Sequence, residues 1–508
     1  MAEIIIPIAE THYLPLTTQA FIDGNEILSS LVPVKHEIIE SKRLIEKRSG
    51  FDSAKREALY KVLSNQYAFL NDAEKKIGKT WENIEFLKNE NTFTVTTGQQ
   101  LHIFMGPLFF AYKIISAVKL AEEIQKENPG KIIVPVFWMA SEDHDIDEIG
   151  FIKLFNEIFT WKPEGKGATG KLNCNGLPEL ADEIEARLSK EVHAKEIIEI
   201  FRNIYKNSAT LSEATRKIIY HFFGYTGIVV LDADEPLLKE FFKTYIKSDI
   251  LDNVNYPVVE ASGKKLKKKG FDIQINARAV NFFYLSENFR ERIVFESGQY
   301  KVLNSDLTFT KSEVSDLIDS DPSKFSPNVV LRPLYQEVIL PNIAYVAGGS
   351  ELNYWLQLPE MFKINMVPYP IPFLRNSLHY MGSKQLGILN KNNLEPKILF
   401  LAEDDLKQRL TDKFSGENNF SFALAERIKN NEALFEAMNS LKPSSLKELK
   451  QILTNELASL KKLETETGIV LFEKSEILVN KILEMKRNYF NPEAIQERKT
   501  FCLEYLVT

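Results

Sequence analysis

The run Ile132-Ile133-Val134-Pro135-Val136-Phe137-Trp138-Met139 stops abruptly at Ser141-Glu142-Asp143-His144-Asp145. The run is β-branched and aromatic and follows the helix breakers Pro129 and Gly130, so it predicts a buried parallel strand of an α/β sheet. In open α/β sheets, ligands bind beyond the carboxyl ends of the strands. Glu142, Asp143, Asp145 and Asp147, with His144 among them, therefore mark a candidate site. A solvated strand-to-helix turn would also gather acids, because they favour the next helix N-terminus. A histidine flanked by Asp143 and Asp145 can act as a base, orient a substrate amine or help hold a metal.

Other strand ends repeat the pattern. Thr92 to Thr97 has strand content, Gly98-Gln99-Gln100 ends it, and Gly106-Pro107 opens a helical run from Leu108 to Gln125. With the strand at 132–139 this predicts a right-handed βαβ unit. The loop lacks a dinucleotide fingerprint and a P-loop lysine. It is either a plain turn or a place where Gln99 and Gln100 present amides and the helix start at Gly106 receives an anion. Gly227 to Leu231 predicts another strand, ending in Asp232-Ala233-Asp234, where Asp234 reads equally well as an N-cap. Asn342 to Val346 predicts a strand running into Ala347-Gly348-Gly349-Ser350-Glu351, whose two glycines allow close backbone approach to a ligand. The expected helix from Leu352 to Phe362 carries Tyr354 and Trp355, which taken alone suit a core better than a site. Met366 to Leu374 predicts the last strand. Gly98, Gln99, Gln100, Ser141 to Asp145, Gly348, Gly349 and Glu351 are expected to converge, because parallel strands end on one edge.

Residues 1–90 predict helices such as Lys55 to Leu70 and Asp72 to Lys88. Residues 151–225 and 255–325 read as insertions, the second with short strands at Phe271–Ile275, Phe282–Leu285 and Ile293–Phe295. From 378 onward strand patterns disappear. Leu446, Leu449, Leu453, Leu457, Leu460 and Leu463, then Leu471, Leu478, Ile482, Met485 and Tyr489, recur at three- and four-residue steps on either side of Gly468. That predicts an antiparallel helical hairpin with coiled-coil character, an arm that docks or dimerises. The expected organisation is a helical segment (1–90), an interrupted sheet core (91–377) and a helical arm with its tail (378–508).

A net charge of −7 argues against a nucleic-acid partner. Lys264, Lys265, Lys267, Lys268 and Lys269 read as a solvated loop in preference to a phosphate patch. Cys174 and Cys502 are the only cysteines. They make neither a zinc knuckle nor a disulfide framework, so no zinc and a reducing compartment are expected. No secretory leader and no apolar run of membrane length are seen. The expectation is a cytoplasmic protein with no membrane partner.

Several long phrases carry a resemblance. They are Thr96-Thr97-Gly98-Gln99-Gln100, Gly106-Pro107-Leu108, Tyr112-Lys113, Val134 to Trp138, Ala140 to Asp145, Phe325 to Glu337 and Glu351 to Leu358, with Gln496-Glu497-Arg498 near the end. They resemble the bacillithiol biosynthesis cysteine-adding family, BshC, in motif order from about residue 90 to 377. The resemblance implies a Rossmann-like core, similar to class I synthetases and nucleotidyltransferases, with two insertions and a C-terminal coiled-coil arm that makes a homodimer. It implies the last step of bacillithiol synthesis, an amide-forming ligation of L-cysteine to glucosaminyl-malate, and a nucleotide, ATP or ADP, with magnesium as a companion. In that frame His144, Asp143, Asp145 and Glu142 are the catalytic candidates. The binding candidates are Gly98, Gln99, Gln100, Ser141, Arg332, Tyr335, Gln336, Glu337, Gly348, Gly349, Glu351, Tyr354 and Trp355, with Arg332 holding a malate carboxylate through its planar fork. His102 stands where many members have a small residue, and the synthetase histidine pair and Lys-Met-Ser-Lys-Ser loop are not present. The rival readings are a tRNA-linked aminoacyl transferase and a non-catalytic nucleotide-binding scaffold.

Overall fold

The computed structural model describes residues 4–155, 157–416, 419–439, 446–490 and 495–508. The chain divides into two units: Leu14–Leu378 with Glu497–Thr508, and Met1–Tyr13 with His379–Gln496.

Among the described residues of the first unit, five strands pair into one parallel sheet: β1 (Thr92–Gln99), β2 (Ile132–Met139), β3 (Val229–Asp232), β4 (Asn342–Ala347) and β5 (Ile371–Leu374). Their order is β5-β4-β1-β2-β3. The chain thus winds outward from β1 in one direction, then returns to its other side, which is the doubly wound Rossmann topology. The order reverses between β1 and β4, and the carboxyl ends there flank the crevice in which such sheets bind ligands. Every position of β1 before Gln99 is buried. Its threonines are tolerated because their hydroxyls are used. Thr94 and Thr96 donate to Asn342 Oδ1 at 3.0 and 2.8 Å, and Thr97 donates to the Val346 carbonyl at 2.9 Å.

Two additions sit on this sheet. A hairpin, Phe151–Leu154 with Glu157–Thr160, and three helices, Leu177–Arg187, Ala194–Lys206 and Leu211–Phe223, lie between β2 and β3. An antiparallel sheet built on Phe282–Leu285 and Arg290–Glu296 lies between β3 and β4.

Several expected elements change. No strand forms at 271–275, because the Gln357 amide takes the place of a partner strand. Its Oε1 accepts from the Gln274 and Ile275 N–H groups at 2.7 and 3.0 Å, and its Nε2 donates to the Ile275 carbonyl at 2.9 Å. The last strand starts only at Ile371, since Pro368 and Pro370 remove ladder donors. Pro359 ends the helix expected through Phe362, giving Gly349–Trp355 and Pro359–Ile364. Gly78 splits Asp72 to Lys88 into Asp72–Ile77 and Lys79–Phe86. The lysines at 264–268 are in the last turns of the helix Asn255–Lys268, where cations suit the dipole, and do not form a loop.

In the second unit, the helix Lys447–Tyr489 runs unbroken through Gly468. The chain therefore does not reverse there. One glycine costs a helix only about 1 kcal/mol, and a long flanking helix absorbs that. The antiparallel partner is the preceding helix, Asn419–Asn439, joined through Arg427–Glu456 at 3.2 Å and Lys461–Glu432 at 2.5 Å. Leu453, Ile482, Leu483 and Met485 are buried, while Leu449 and Leu463 are exposed. The side chains of Leu471 and Tyr489 lie outside the described residues. No helix among the described residues is long and apolar enough to cross a membrane.

Candidate active site

The reversal between β1 and β4 is plugged by a lysine. Lys113 lies in the helix Leu108–Glu127 that follows β1, and is 3% exposed. Its Nζ donates to the Gly98 carbonyl at 2.7 Å and to Gln99 Oε1 at 2.9 Å, and it pairs with the Glu351 carboxylate just after β4. Burial lowers the Lys113 pKa, and Glu351 opposes that shift. Glu351 also accepts from Tyr345 Oη and the Gly348 N–H, each at 3.0 Å. Arg332 lies above the Tyr345 ring, 5.4 Å from its centre. Its Nη1 donates to Gln336 at 3.0 Å, while its buried Nη2 has no hydrogen-bond partner among the described residues. Gly98 must stay small here, since a Cβ would stand 3.3 Å from both the Trp138 carbonyl and Tyr345 Oη.

The ends of β2 and β3 share a second buried lysine. Lys239, 1% exposed, donates to Glu142 at 2.5 Å and to Asp234 at 2.9 Å. Lys171 adds a contact to Asp234 at 2.7 Å. Asp234 is therefore not the N-cap of the helix Pro236–Lys239. That position falls to Glu235, which makes no capping bond, because Asp234 is drawn to two ammonium groups. Burial pushes the Lys239 pKa down, but Glu142 and Asp234 outweigh it and hold it above the ordinary lysine range. Burial would raise Asp234, yet Lys239 and Lys171 keep it low, whereas burial leaves Glu142 raised. Ser141 donates to Asp232. The loop Ala168 to Lys171 rests on this cluster: the Gly170 and Thr169 N–H groups donate to the Ser141 and Asp143 carbonyls at 2.8 and 2.7 Å. A Cβ at Gly170 would lie 2.5 Å from that of Ser141, so only glycine permits the approach.

Gln100 ties these ends together. Its Nε2 donates to Asp143 at 3.2 Å and Glu148 at 2.6 Å, while its Oε1 accepts from Gln99 at 3.0 Å. Asp143 Oδ1 stands 3.6 Å from both His144 Nδ1 and Arg290 Nη1, and those two nitrogens are 3.2 Å apart. Arginine carries only donors, so Nδ1 accepts and a neutral His144 in this arrangement has its proton on Nε2. Asp145 points elsewhere and caps Ile146–Ile149 by accepting the Glu148 N–H at 3.2 Å.

The candidate residues therefore fall in two places. Gly98, Gln99, Gln100, Ser141, Glu142, Asp143, His144, Gly348, Gly349, Glu351 and Arg332 share the carboxyl edge of the sheet or the crevice at its reversal. Tyr335, Gln336, Glu337 and Trp355 are buried in the body of the unit. Tyr335 donates to the Ala233 carbonyl at 2.7 Å and meets Trp138 edge-on. Glu337 is paired with Arg48 and accepts from Asn342 at 2.7 Å and Gln336 at 2.8 Å, at the start of β4 and away from the carboxyl edge. Burial raises its carboxyl to about 7 against the pull of Arg48. Trp355 packs against Tyr345, Phe362 and Tyr369, and Tyr354 sits beside Arg332 at 8% exposure. Sequence reasoning missed Lys113, Lys239 and Arg290 as site residues. Lys113 was within a recognised phrase and Lys239 follows Asp234 by five residues, but nothing in the local pattern marks Arg290.

His102 lies inside the loop after β1, 7% exposed, edge-on to Phe109 and Phe110 and 3.3 Å from Gln99 Nε2. It is a packing residue. Phe104, Met105 and Gly106 beyond it all have positive φ, at 50°, 66° and 58°. Bulky residues hold such conformations only under outside constraint. The constraint comes from Tyr205 Oη, which accepts the Phe104 N–H at 2.8 Å, and from the C-terminal segment. There the Cys502 N–H donates to the Gly106 carbonyl at 2.8 Å, and the Leu108 N–H donates to the Thr500 carbonyl at 2.9 Å. The helix start expected to receive an anion is therefore covered by the chain itself. Burial, then the charge of Lys113, lowers His102 to about 4. The unfolded chain binds the extra proton, so this contribution is complete above about pH 6.5 and lost as pH falls toward 4. Urea unfolding should show a loss on the order of 3 kcal/mol across that window that is missing in His102→Gln. Equal acid sensitivity of the two proteins would refute it.

A family model described as Bacillithiol biosynthesis BshC, N-terminal Rossmann-like domain, matches residues 10–376. The chain is 37% identical over 473 residues to a protein from Flavobacterium psychrophilum provisionally named cysteine ligase BshC, covering 93% of this chain and 87% of that one. A protein of the same name from Christiangramia forsetii is 34% identical over 470 residues, 92% and 87% of the two chains. Another from Cytophaga hutchinsonii is 38% identical over 364 residues, 72% and 67% of the two.

Proposed function

The chain belongs to the BshC family, and from that premise we propose that it is a cysteine ligase of bacillithiol biosynthesis, joining the carboxyl of L-cysteine to the amine of glucosaminyl-malate in the last step. The observation that carries this reading is the polar cluster where β1 and β4 diverge, Lys113 with Glu351 and Arg332, linked through Gln99 and Gln100 to Asp143 beside His144.

Amide formation from a free carboxylate is uphill in water, so the acid must be activated. A nucleotide, when bound, would supply the leaving group. The residues fit one: Arg332 Nη2 is a buried cationic donor without a partner among the described residues, suited to a phosphate oxygen at the crevice. Lys113 spends its donors on Gly98, Gln99 and Glu351, so its role is to hold the two strand ends in register.

The attacking amine must be neutral, which calls for a base. His144 Nδ1 becomes one when the Arg290 N–H moves from it to Asp143, 3.6 Å from both. Asp143 thus acts as the alternate acceptor that frees the imidazole. Glu142 is tied to Lys239 and Asp145 to a helix start, so both support the site without exchanging protons with substrate. Deleting the gene should abolish bacillithiol and accumulate glucosaminyl-malate, both restored by complementation. Persistence of bacillithiol in the deletion strain would refute the assignment.

The second unit supports a further part of the reading, a homodimer. Leu434, Leu449, Ile452, Leu463 and Ile477 of its two long helices expose apolar surface in the single chain. Light scattering of the full chain should give twice the monomer mass, falling to the monomer when Leu449 and Ile452 become glutamate. A monomeric wild type rules this out.

A further inference from the structure

A cavity of about 290 Å³ opens where the two insertions meet beyond β2. One wall is the loop Pro163 to Leu172, the other is the turn Asn288 to Glu291, and His144 and Ile146 close the end. Its charged lining groups are Lys166, Arg290 and Glu291, with Asp143 Oδ1 3.6 Å from Arg290 Nη1. Arg290 is fixed before any ligand arrives. Its Nε donates to Ser326 Oγ at 3.0 Å, its Nη2 to the Pro327 carbonyl at 3.3 Å, and its guanidinium carbon lies 3.9 Å from the centre of the Phe283 ring. Lys166 is exposed, and stands between Gly165 and Gly167, whose φ values of +104° and +102° suit glycine. A Cβ at Gly167 would meet the Phe289 nitrogen at 3.2 Å and the Glu287 carbonyl at 3.3 Å. The two glycines thus let the loop lie close on the turn, with Lys166 lining the cavity between them. Pro163, Leu172 and Phe289 supply apolar lining.

We propose that this cavity takes the malyl dicarboxylate end of the amine substrate, with Arg290 and Lys166 each holding one carboxylate. The proposal rests on the ligase reading above. Pockets for whole drug-sized ligands run to about 300–1,000 Å³, so this one suits one end of a molecule. Two separated cations match two carboxylates, and the apolar lining accepts the carbon skeleton between them. A polyphosphate would instead be pressed against carbon with too few donors. Occupancy here brings the sugar amine toward His144, at the cavity's end.

The test uses the full-length protein. L-Malate and tripolyphosphate are titrated calorimetrically, and initial rates are measured with glucosaminyl-malate, cysteine and ATP varied in turn. Losing one charge-assisted bond should weaken malate binding by about tenfold in Lys166→Ala. The KM for glucosaminyl-malate should rise by about the same factor, with kcat and the other two KM values held within about twofold. Lys166→Arg should retain binding. No malate binding by the wild type, or malate binding unchanged by Lys166→Ala, overturns the proposal. So does an effect that falls on tripolyphosphate or on the ATP KM. If malate binds in a Lys166-dependent way but no ligation is seen with the three substrates, the ligase reading fails while the subsite stands.

Discussion

Lys239→Met is expected to destabilise the first unit by about 3–5 kcal/mol, the cost of removing one partner from a buried ion cluster. The substitution keeps most of the unbranched stem and removes the ammonium with its donors to Glu142 and Asp234. Glu142, whose ammonium contact at 2.5 Å disappears, is left buried and unpaired near Asp234. The unfavourable charge can be titrated away, so the deficit should shrink as pH falls toward the carboxylate range. It should also shrink in the double variant Lys239→Met/Glu142→Gln. Urea unfolding of the three proteins at pH 7.5 and 5 measures both effects. A single variant within about 1 kcal/mol of wild type would show that the cluster is not an electrostatic clamp.

His144→Ala is expected to reduce turnover by about 10²–10⁴-fold, the usual cost of removing a positioned general base. The fold should be unaffected, because the side chain is 48% exposed and its contacts, to Arg290, Asp143 and the Phe283 ring, are at the surface of the unit. Two readouts separate a base from a mere filler. Added free imidazole should restore part of the lost turnover in the variant. Asp143→Asn, which leaves Arg290 no carboxylate to move to, should slow turnover without changing the unfolding free energy by more than about 1 kcal/mol. Complementation of the deletion strain at matched expression gives the cellular counterpart. Full activity of His144→Ala would remove the imidazole from the mechanism.

The sheet was legible because its strands are buried on both faces and read as β-branched and apolar runs ending in polar loops. β2 is the clearest case. The bounds that failed did so where side chains replace backbone partners or prolines delete donors, as Gln357 does at 274–275 and Pro368 and Pro370 do before β5. Periodicity carries no information about either. Of the candidate site, the acids and amides at strand ends could be read from sequence, since polar residues after a buried strand are conspicuous. Their cations could not. Lys113, Lys239 and Arg290 lie 14, 97 and 146 positions from Gln99, Glu142 and His144. A lysine or arginine in a helix or in a strand of mixed polarity looks solvated until the tertiary fold buries it. Glu337 stands in a motif-rich phrase, and the structure pairs it with Arg48 at the start of β4, a partner 289 positions away.

The position of β1 at the centre of the sheet has a consequence for synthesis. Thr97 and the Val346 carbonyl it reaches are 249 positions apart. At about 5–20 residues per second, the ribosome delivers β4 roughly ten to fifty seconds after β1. During that interval the central strand of the sheet has one neighbour, β2, and an open edge capable of pairing with another chain. The strained turn at 104–106 waits longer still, since Cys502 of its clamp lies 395 positions beyond Pro107. The nascent chain thus carries the whole polar edge long before it can hold that edge in shape, and its needs for protection during translation are set by β1.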